Sequence, residues 1–176
     1  MQKFLKAIRS FFYLTKQDLI ILSAISLFVL VFDLATKHII FQNIGDELKI
    51  LPFLSFVKVY NYGVSFGMFH ENPEIMFYVI LICDISISLY LLSYFKEKNN
   101  YTNPLLLSVA LSFIIGGALG NFVDRILIGS VRDFIDVYVN NHHWPCFNIA
   151  DCFVCIGVFI WVICEIFFVN KKKKRK

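Results

Sequence analysis

The sequence has few charged residues: Asp, Glu, Lys and Arg make up 17% of its 176 residues, against 58% for hydrophobic residues. It contains no internal repeat, and its one low-complexity segment is the lysine-rich run at the end. A soluble domain of this length could not bury so much apolar surface. The composition therefore excludes an ordinary soluble domain and indicates a single membrane domain.

The motifs of several enzyme classes are also missing. The five cysteines do not form a disulfide framework, and Cys152-Phe-Val-Cys155 lacks the second pair or the βαβ context of a zinc or redox motif. His142 and His143 are adjacent, so they cannot present two metal ligands on one helix face. No Gly-x-Ser-x-Gly nucleophile pattern occurs. We therefore expect no metal and no cofactor, and favour hydrolysis by a water molecule.

Four apolar stretches are each long enough to cross a hydrocarbon core of about 30 Å, which needs about 20 helical residues. They cover about residues 19–41, 73–95, 104–123 and 149–169. The first follows basic residues, as a signal peptide does, but no cleavage site of small residues comes after it. We interpret it as a retained signal-anchor helix. The predicted fold is an all-α polytopic membrane protein with four transmembrane helices.

The positions of the basic residues predict the orientation of these spans. The N-terminal segment, the loop 96–103 and the tail Lys171–Lys176 hold four, two and six of the 17 Lys and Arg residues. With four spans all three segments lie on one side, which the positive-inside rule identifies as the cytoplasm. Both termini are therefore expected in the cytoplasm, and the loops 42–72 and 124–148 outside. We expect the tail to contact membrane lipids rather than nucleic acid.

The first outer loop carries a strand-like pattern. Polar and apolar residues roughly alternate over Phe53–Tyr60, and Ser65–Phe69 is a second short run of the same kind. Asn61-Tyr62-Gly63 between them is typical of a turn. We expect a small extracytoplasmic β-sheet that lies on the outer leaflet.

Ionisable residues collect between the third and fourth spans, although each one costs about 2.5–3.5 kcal/mol at membrane depth. Asp133 is expected in an outer loop and Asp151 in the first turn of the fourth span. If the two carboxylates lie about 5 Å apart, they repel by about 3 kcal/mol and share one proton near neutral pH. Such a pair can activate water and polarise a scissile carbonyl. The alternative is that each Asp caps a helix or pairs with an arginine. The cluster comprises Asp124, Arg125, Arg132, Asp133, Asp136 and Asp151.

Five short motifs occur in order along nearly the whole chain: D-x-x-T-K at Asp33–Lys37, N-x-G-x-x-F at Asn61–Phe66, G-x-x-G-N-x-x-D-R at Gly117–Arg125, V-x-D-F at Val131–Phe134 and F-N-x-A-D at Phe147–Asp151. This series resembles bacterial lipoprotein signal peptidase (signal peptidase II). That family comprises membrane aspartic endopeptidases that remove the signal peptide from diacylglyceryl-modified prolipoproteins. The resemblance implies the same activity here, at the outer face of a bacterial cytoplasmic (inner) membrane, with a lipid-modified prolipoprotein as the partner.

The resemblance also implies roles for individual residues. Asp133 and Asp151 fall on the family's catalytic dyad. Asn61, Asn121 and Asn148 are expected to orient the dyad or the peptide through hydrogen bonds, and Gly117 belongs to the supporting residues. One departure occurs after the glycine of the second motif, where Val64-Ser65 replaces two small residues. We expect a monomer.

Four further charged residues have two interpretations each. Asp124 is a rival for a place in the dyad, but its position beside Arg125 favours an ion pair or support of a helix end. Arg125 could donate hydrogen bonds to the substrate backbone or a phosphate, or simply reach towards the interface. Asp33 and Lys37 are four residues apart in the order that favours an ion pair, which predicts support of the site rather than substrate contact.

A different class of protein is a proton-coupled transporter, in which Asp84, Asp33 and Asp124 would form a relay through the bilayer. That hypothesis needs carboxylates distributed in depth, whereas most of them collect at one face. An intramembrane aspartyl protease of the G-x-G-D type is disfavoured because the motif is absent. The motifs do not explain Asp84.

Overall fold

The computed structural model describes residues 16–62 and 101–168, together with three helical positions at Tyr78, Ile82 and Ser86. Its helices are α1 (Lys16–Asn43), α2 (Pro104–Ile128) and α3 (Ile149–Phe167). Within these described ranges, the three helices are the ones long and apolar enough to cross a membrane. They lie at the first, third and fourth predicted spans. The second predicted span, 73–95, falls outside the described residues except at the three positions named, so a total of four spans stays a prediction.

Helix α2 lies between α1 and α3 and packs against both. Two adjacent glycines allow this close approach on its two sides. A Cβ atom at Gly116 would lie 2.9 Å from the carbonyl oxygen of Ser26 in α1, and one at Gly117 would lie 2.5 Å from that of Ala150 in α3. Small residues at helix contacts are the usual means by which membrane helices pack closely.

The helices expose apolar side chains and bury charged ones. Leu27, Phe28 and Phe159 are more than half exposed, at 59%, 60% and 67%, whereas Asp33 and Lys37 are fully buried. A lipid surrounding suits such a distribution, because the charged groups then meet partners inside the helix bundle.

A four-stranded antiparallel sheet completes the fold, in the order β1 (Glu47–Leu51), β2 (Leu54–Asn61), β3 (Val131–Val139) and β4 (His142–His143). Strand β2 matches the run predicted at Phe53–Tyr60. Its partners β1 and β3 were not predicted, and the predicted partner Ser65–Phe69 lies outside the described residues. Asn61 ends β2 and pairs with Val131.

Gly129 ends α2 and sends the chain directly into β3. It adopts φ 75°, and its N–H donates to the carbonyl oxygen of Arg125 over 3.0 Å, as at many helix ends that glycine terminates. The helix therefore extends five residues past Val123, where the predicted span ended, and Asp124 and Arg125 lie in its last turns. Asp133, expected in a loop, lies in β3. Its charged neighbours had hidden the strand pattern.

Candidate active site

Backbone pairing between β3 and Phe147, two residues before α3, brings two motifs together. The N–H groups of Phe134 and Ile135 donate to the carbonyl oxygen of Phe147 over 3.1 and 2.9 Å, and the Phe147 N–H donates back to Ile135 over 3.2 Å. Because Asn148 follows Phe147, this pairing places it beside Asp133. The Asn148 Nδ2 donates to Asp133 Oδ1 over 2.6 Å.

Asp151 reaches the same position through the start of α3. Asn148 is the N-cap of the helix: its Oδ1 accepts from the Asp151 N–H, and Asp151 Oδ2 accepts from the Asn148 N–H, both over 3.0 Å. The capping role weighed as an alternative for Asp151 is therefore present. It does not compete with a role beside Asp133, since the fully buried Asn148 contacts both residues.

Asp133 is an unusual carboxyl group because it is almost completely buried, with 2% of its surface exposed. Burial, as the largest cause, and the nearby charge of Asp151 together raise its pKa from 3.8 to about 6. Hydrogen bonds from Asn61 Nδ2 to Oδ2 (2.9 Å) and from Asn148 oppose this increase. A carboxyl group with such a pKa can hold a proton close to neutral pH.

A third amide joins Asp151 to a buried cation. Asn121 Nδ2 donates to Asp151 Oδ1 over 2.8 Å. The Asn121 Oδ1 accepts from Asn148 Nδ2 over 3.1 Å and from Lys37 Nζ over 2.9 Å. Each of the three predicted amides therefore contacts at least one of the two carboxylates: Asn61 contacts Asp133, Asn121 contacts Asp151, and Asn148 contacts both.

Ion pairs support this network from α1 and α2. Lys37 Nζ lies 2.6 Å from Asp33 Oδ2, which is the predicted pair, and 3.4 Å from Asp124 Oδ2. Asp33 Oδ1 also accepts from the Ala150 N–H over 2.9 Å and so fixes α1 to the start of α3.

Asp124 has the predicted ion pair, but its arginine partner is Arg132. Arg132 Nη2 lies 2.6 Å from Asp124 Oδ1, while its Nε and backbone N–H donate to Oδ2 over 3.2 and 3.0 Å. With both oxygens engaged, Asp124 has the geometry of a supporting group. Arg125, half-buried, follows it in α2.

No group of three or more His, Cys, Asp or Glu residues with the arrangement of a metal site occurs in the part of the chain that the structure describes.

The sequence profile of the family described as Signal peptidase (SPase) II matches residues 25–168.

The chain belongs to the signal peptidase II family.

Related proteins agree with this membership, which confirms the predicted enzyme class, an aspartic endopeptidase. The lipoprotein signal peptidase of Sulfurihydrogenibium sp. is 37% identical over 153 residues, which cover 86% of this chain and 92% of that protein. That of Wigglesworthia glossinidia brevipalpis is 37% identical over 159 residues, with 89% and 98% covered. A solved structure of a bacterial membrane enzyme has a TM-score of 0.66 and 33% identity, and covers 83% of this chain and 92% of its own.

Two features of this signal peptidase II family member were missed from sequence. The first is the pairing of Arg132 with Asp124; the turn at Gly129 was the available indication, because it returns the chain towards the end of α2. The second is a pair in the sheet, where His143 Nδ1 lies 2.9 Å from Asp136 Oδ2. The two histidines were considered only as metal ligands.

Proposed function

We propose that the protein removes signal peptides from diacylglyceryl-modified prolipoproteins, with Asp133 and Asp151 as the catalytic pair. The observation that supports this most directly is the buried Asn148 side chain, which contacts Asp133 Oδ1 over 2.6 Å and the Asp151 N–H over 3.0 Å. Two acidic residues from separate motifs thus meet at one amide. The relatives named above are lipoprotein signal peptidases, and their substrate class is extended here to this chain.

The chemistry follows from a pair that shares one proton. The ionised carboxylate accepts a proton from water as the water oxygen attacks the scissile carbonyl carbon, and the protonated carboxyl group donates to the carbonyl oxygen. When the tetrahedral intermediate collapses, the C–N bond breaks and the carboxyl group that took the proton from water donates it to the leaving nitrogen. As the C=O bond forms again, the hydroxyl group made from the carbonyl oxygen returns its proton to the other carboxylate. The signal peptide leaves with a new carboxyl group and the lipid-bearing fragment with a new amine, so that the pair again holds one proton.

The surrounding residues hold this pair in place. Asn61, Asn121 and Asn148 donate to the carboxylates, Asp33, Lys37 and Asp124 form the buried ion pairs, and Gly117 allows α3 to approach α2. We assign Arg125 to contact with the substrate backbone or a lipid phosphate, since a guanidinium group can donate several hydrogen bonds. The described residues of the site need no contribution from a second copy, and we propose that the protein acts as a monomer.

The site is proposed to face outward in a bacterial cytoplasmic membrane, with both termini in the cytoplasm. In this orientation, Asp133 in the sheet and Asp151 at the start of α3 would lie near the outer surface of the membrane, where a lipid-anchored cleavage site would emerge. A cysteine at Gly45, where the structure leaves open space, tests this orientation in a background without native cysteines. It should react with a membrane-impermeant maleimide in intact cells; reaction only after lysis would contradict the orientation.

The test of function is cleavage of a purified diacylglyceryl precursor, with and without a chelator. Asp133→Asn and Asp151→Asn should each lower the cleavage rate by about a hundredfold to ten thousandfold, the usual contribution of a general acid or base. The chelator should have no effect.

Asp136→Asn is the matched control, because Asp136 lies on the same strand, is buried as well and pairs with His143 instead. It should keep most of the activity. If either dyad variant cleaved near the wild-type rate, the catalytic assignment would be wrong. If the wild-type protein left the precursor intact but cleaved it without the lipid, the substrate class would be wrong.

A further inference from the structure

Lys37 forms two ion pairs and, in addition, one hydrogen bond to a neutral group. Its side chain is fully buried, and the ammonium group lies 2.6 Å from Asp33 and 3.4 Å from Asp124. These two carboxylates already balance its charge. Its third contact is the neutral Oδ1 of Asn121, at 2.9 Å.

This contact determines which way the Asn121 amide points. An ammonium group has three N–H donors and no acceptor, so the atom of Asn121 that faces it must be the oxygen. The reversed amide would direct its NH2 group at the ammonium of Lys37 and its oxygen at the carboxylate of Asp151, and both contacts would be repulsive. Lys37 therefore holds Asn121 Nδ2 towards Asp151 Oδ1, at 2.8 Å.

A second donor fixes the same arrangement from the other side. The Asp151 N–H can only donate, so Asn148 directs its Oδ1 at that N–H and its Nδ2 at Asn121 Oδ1 and Asp133 Oδ1. Asn121 Oδ1 then accepts two hydrogen bonds, one of them from a cation. Since hydrogen bonds in a chain polarise one another, its N–H becomes a stronger donor to Asp151.

The two carboxylates of the site are therefore not equivalent. Each accepts two hydrogen bonds, but Asp151 accepts one from the Asn121 amide that Lys37 polarises and the other from the backbone N–H of Asn148. Asp151 also lies in the first turn of α3, where the helix dipole favours negative charge. Asp133 lies on a strand and is bound by the neutral amides of Asn61 and Asn148.

We propose that Lys37 is a positioning residue which, through Asn121, makes Asp151 the ionised base that accepts the proton from water and leaves Asp133 to carry the shared proton. This assignment rests on the function proposed above. It goes beyond that function because it divides the two roles within the pair and gives the buried cation a part in the division.

Other charges near Asp151 set the design of the test. The described groups that face it or its partners come from every packed element: Asp33 and Lys37 of α1, Asp124 of α2, Asp133 and Arg132 of β3, and the Cys152 thiol of α3. Among them, Asp33, Lys37, Asp124 and Arg132 carry two negative and two positive charges. Removing Lys37 together with Asp33 therefore keeps this cluster neutral.

The experiment compares the pH profile of kcat/KM for a diacylglyceryl precursor in wild-type protein and in Asp33→Asn/Lys37→Met. The asparagine side chain introduced in place of Asp33 retains an oxygen for the Ala150 N–H, and Asp124 retains Arg132. If Lys37 served only to neutralise Asp33, the double variant would show the wild-type profile. Our proposal predicts that the acid limb moves to higher pH by about one unit, because the base loses part of a charge-assisted hydrogen bond.

A second variant keeps the ion pairs and removes only the amide. Asn121→Leu should produce a similar shift of the acid limb, and adding it to the double variant should cause little further shift, as expected for groups that act in series. Thr36→Val is the matched control in α1, since Thr36 donates to backbone carbonyls of its own helix; its profile should equal that of the wild type. Thermal unfolding in detergent shows which variants fold. If the Asp33→Asn/Lys37→Met variant does not fold, the pH profile of Asn121→Leu alone tests the proposal.

A wild-type acid limb in either folded variant would overturn the proposal. So would a folded Asn121→Leu protein without activity at any pH, because it would give Asn121 a direct part in the reaction. Failure here is distinct from failure of the proposed function: the latter would appear as wild-type protein that does not cleave the precursor, or as an active Asp133→Asn or Asp151→Asn variant.

Discussion

Replacement of Asn148 separates two tasks that one side chain performs. Its Oδ1 caps α3, while its Nδ2 donates to Asp133. A serine at this position retains an oxygen that can cap the helix but has no amide group, whereas an alanine retains neither. We therefore expect Asn148→Ser and Asn148→Ala to have similar activities and different stabilities.

The magnitudes follow from the contacts. A hydrogen bond between neutral groups is worth about 0.5–1.5 kcal/mol, so the loss of the contact between Asn148 and the protonated Asp133 should reduce kcat/KM about 2- to 13-fold in both variants. Loss of an N-cap costs about 1 kcal/mol, so Asn148→Ala should be less stable than Asn148→Ser by roughly that amount. Both should be less stable than wild type, because Asn148 is fully buried and its partners lose a donor.

The assay combines precursor cleavage with unfolding in detergent micelles. Wild-type kcat/KM in Asn148→Ser would refute the argument that this amide positions Asp133 for catalysis. Equal stability of the two variants would instead show that the serine does not cap α3. The two outcomes are independent, so each part of the reasoning can fail alone.

Three other predictions concern packing, proton binding and the ion pairs. Gly117→Ala should lower stability by about 1–3 kcal/mol and should reduce precursor cleavage, because the added methyl group moves the start of α3. Gly45→Ala is the control, since its Cβ would meet nothing within 4 Å, and it should change neither stability nor cleavage. Equal stability and equal cleavage rates in the two variants would contradict this account of the packing. Because burial raises the pKa of Asp133 from 3.8 to about 6, its proton stabilises the folded protein below about pH 4, and this stabilisation is lost as pH rises to about 6. Asp133→Asn should therefore remove the fall in thermal midpoint between about pH 4 and pH 6. Thermal midpoints of Asp133→Asn with the wild-type pH dependence would argue against this assignment. Arg132→Met should lower the free energy of unfolding by about 3 kcal/mol, because Asp124 then lacks its main partner. Adding Asp124→Asn in the same chain should restore most of this loss. A double variant that is as unstable as Arg132→Met in unfolding measurements would exclude this account.

Much of the site could be predicted because its chemistry is local in sequence. The i, i+4 spacing of Asp33 and Lys37 specifies an ion pair on one helix, and the position of Asp151 after Asn148 specifies a helix start. The separate motifs indicated that Asp133 and Asp151 belong together, although nothing in their spacing gave the distance between them.

The sheet and the pairing of Asp124 could not be predicted in the same way. Strand β3 alternates poorly because Arg132, Asp133 and Asp136 interrupt its apolar residues, so the segment resembled a polar loop. Its partner β2 lies about 70 residues earlier in the chain, as the contact between Asn61 and Asp133 shows. Such long-range pairing depends on tertiary packing, which a pattern in one segment does not encode.

The contact between Asp33 and the Ala150 N–H joins residues 117 positions apart, and α3 is the last helix described. During synthesis α1 is made long before α3, so Asp33 lacks its hydrogen bond from the Ala150 N–H until the start of α3 has been made. The residues assigned to the site extend from Asp33 to Asp151, so a fragment that ends before α3 lacks part of it. The proposed site can therefore form only after the start of α3 has been made, and we expect no precursor cleavage by a chain that still lacks this helix.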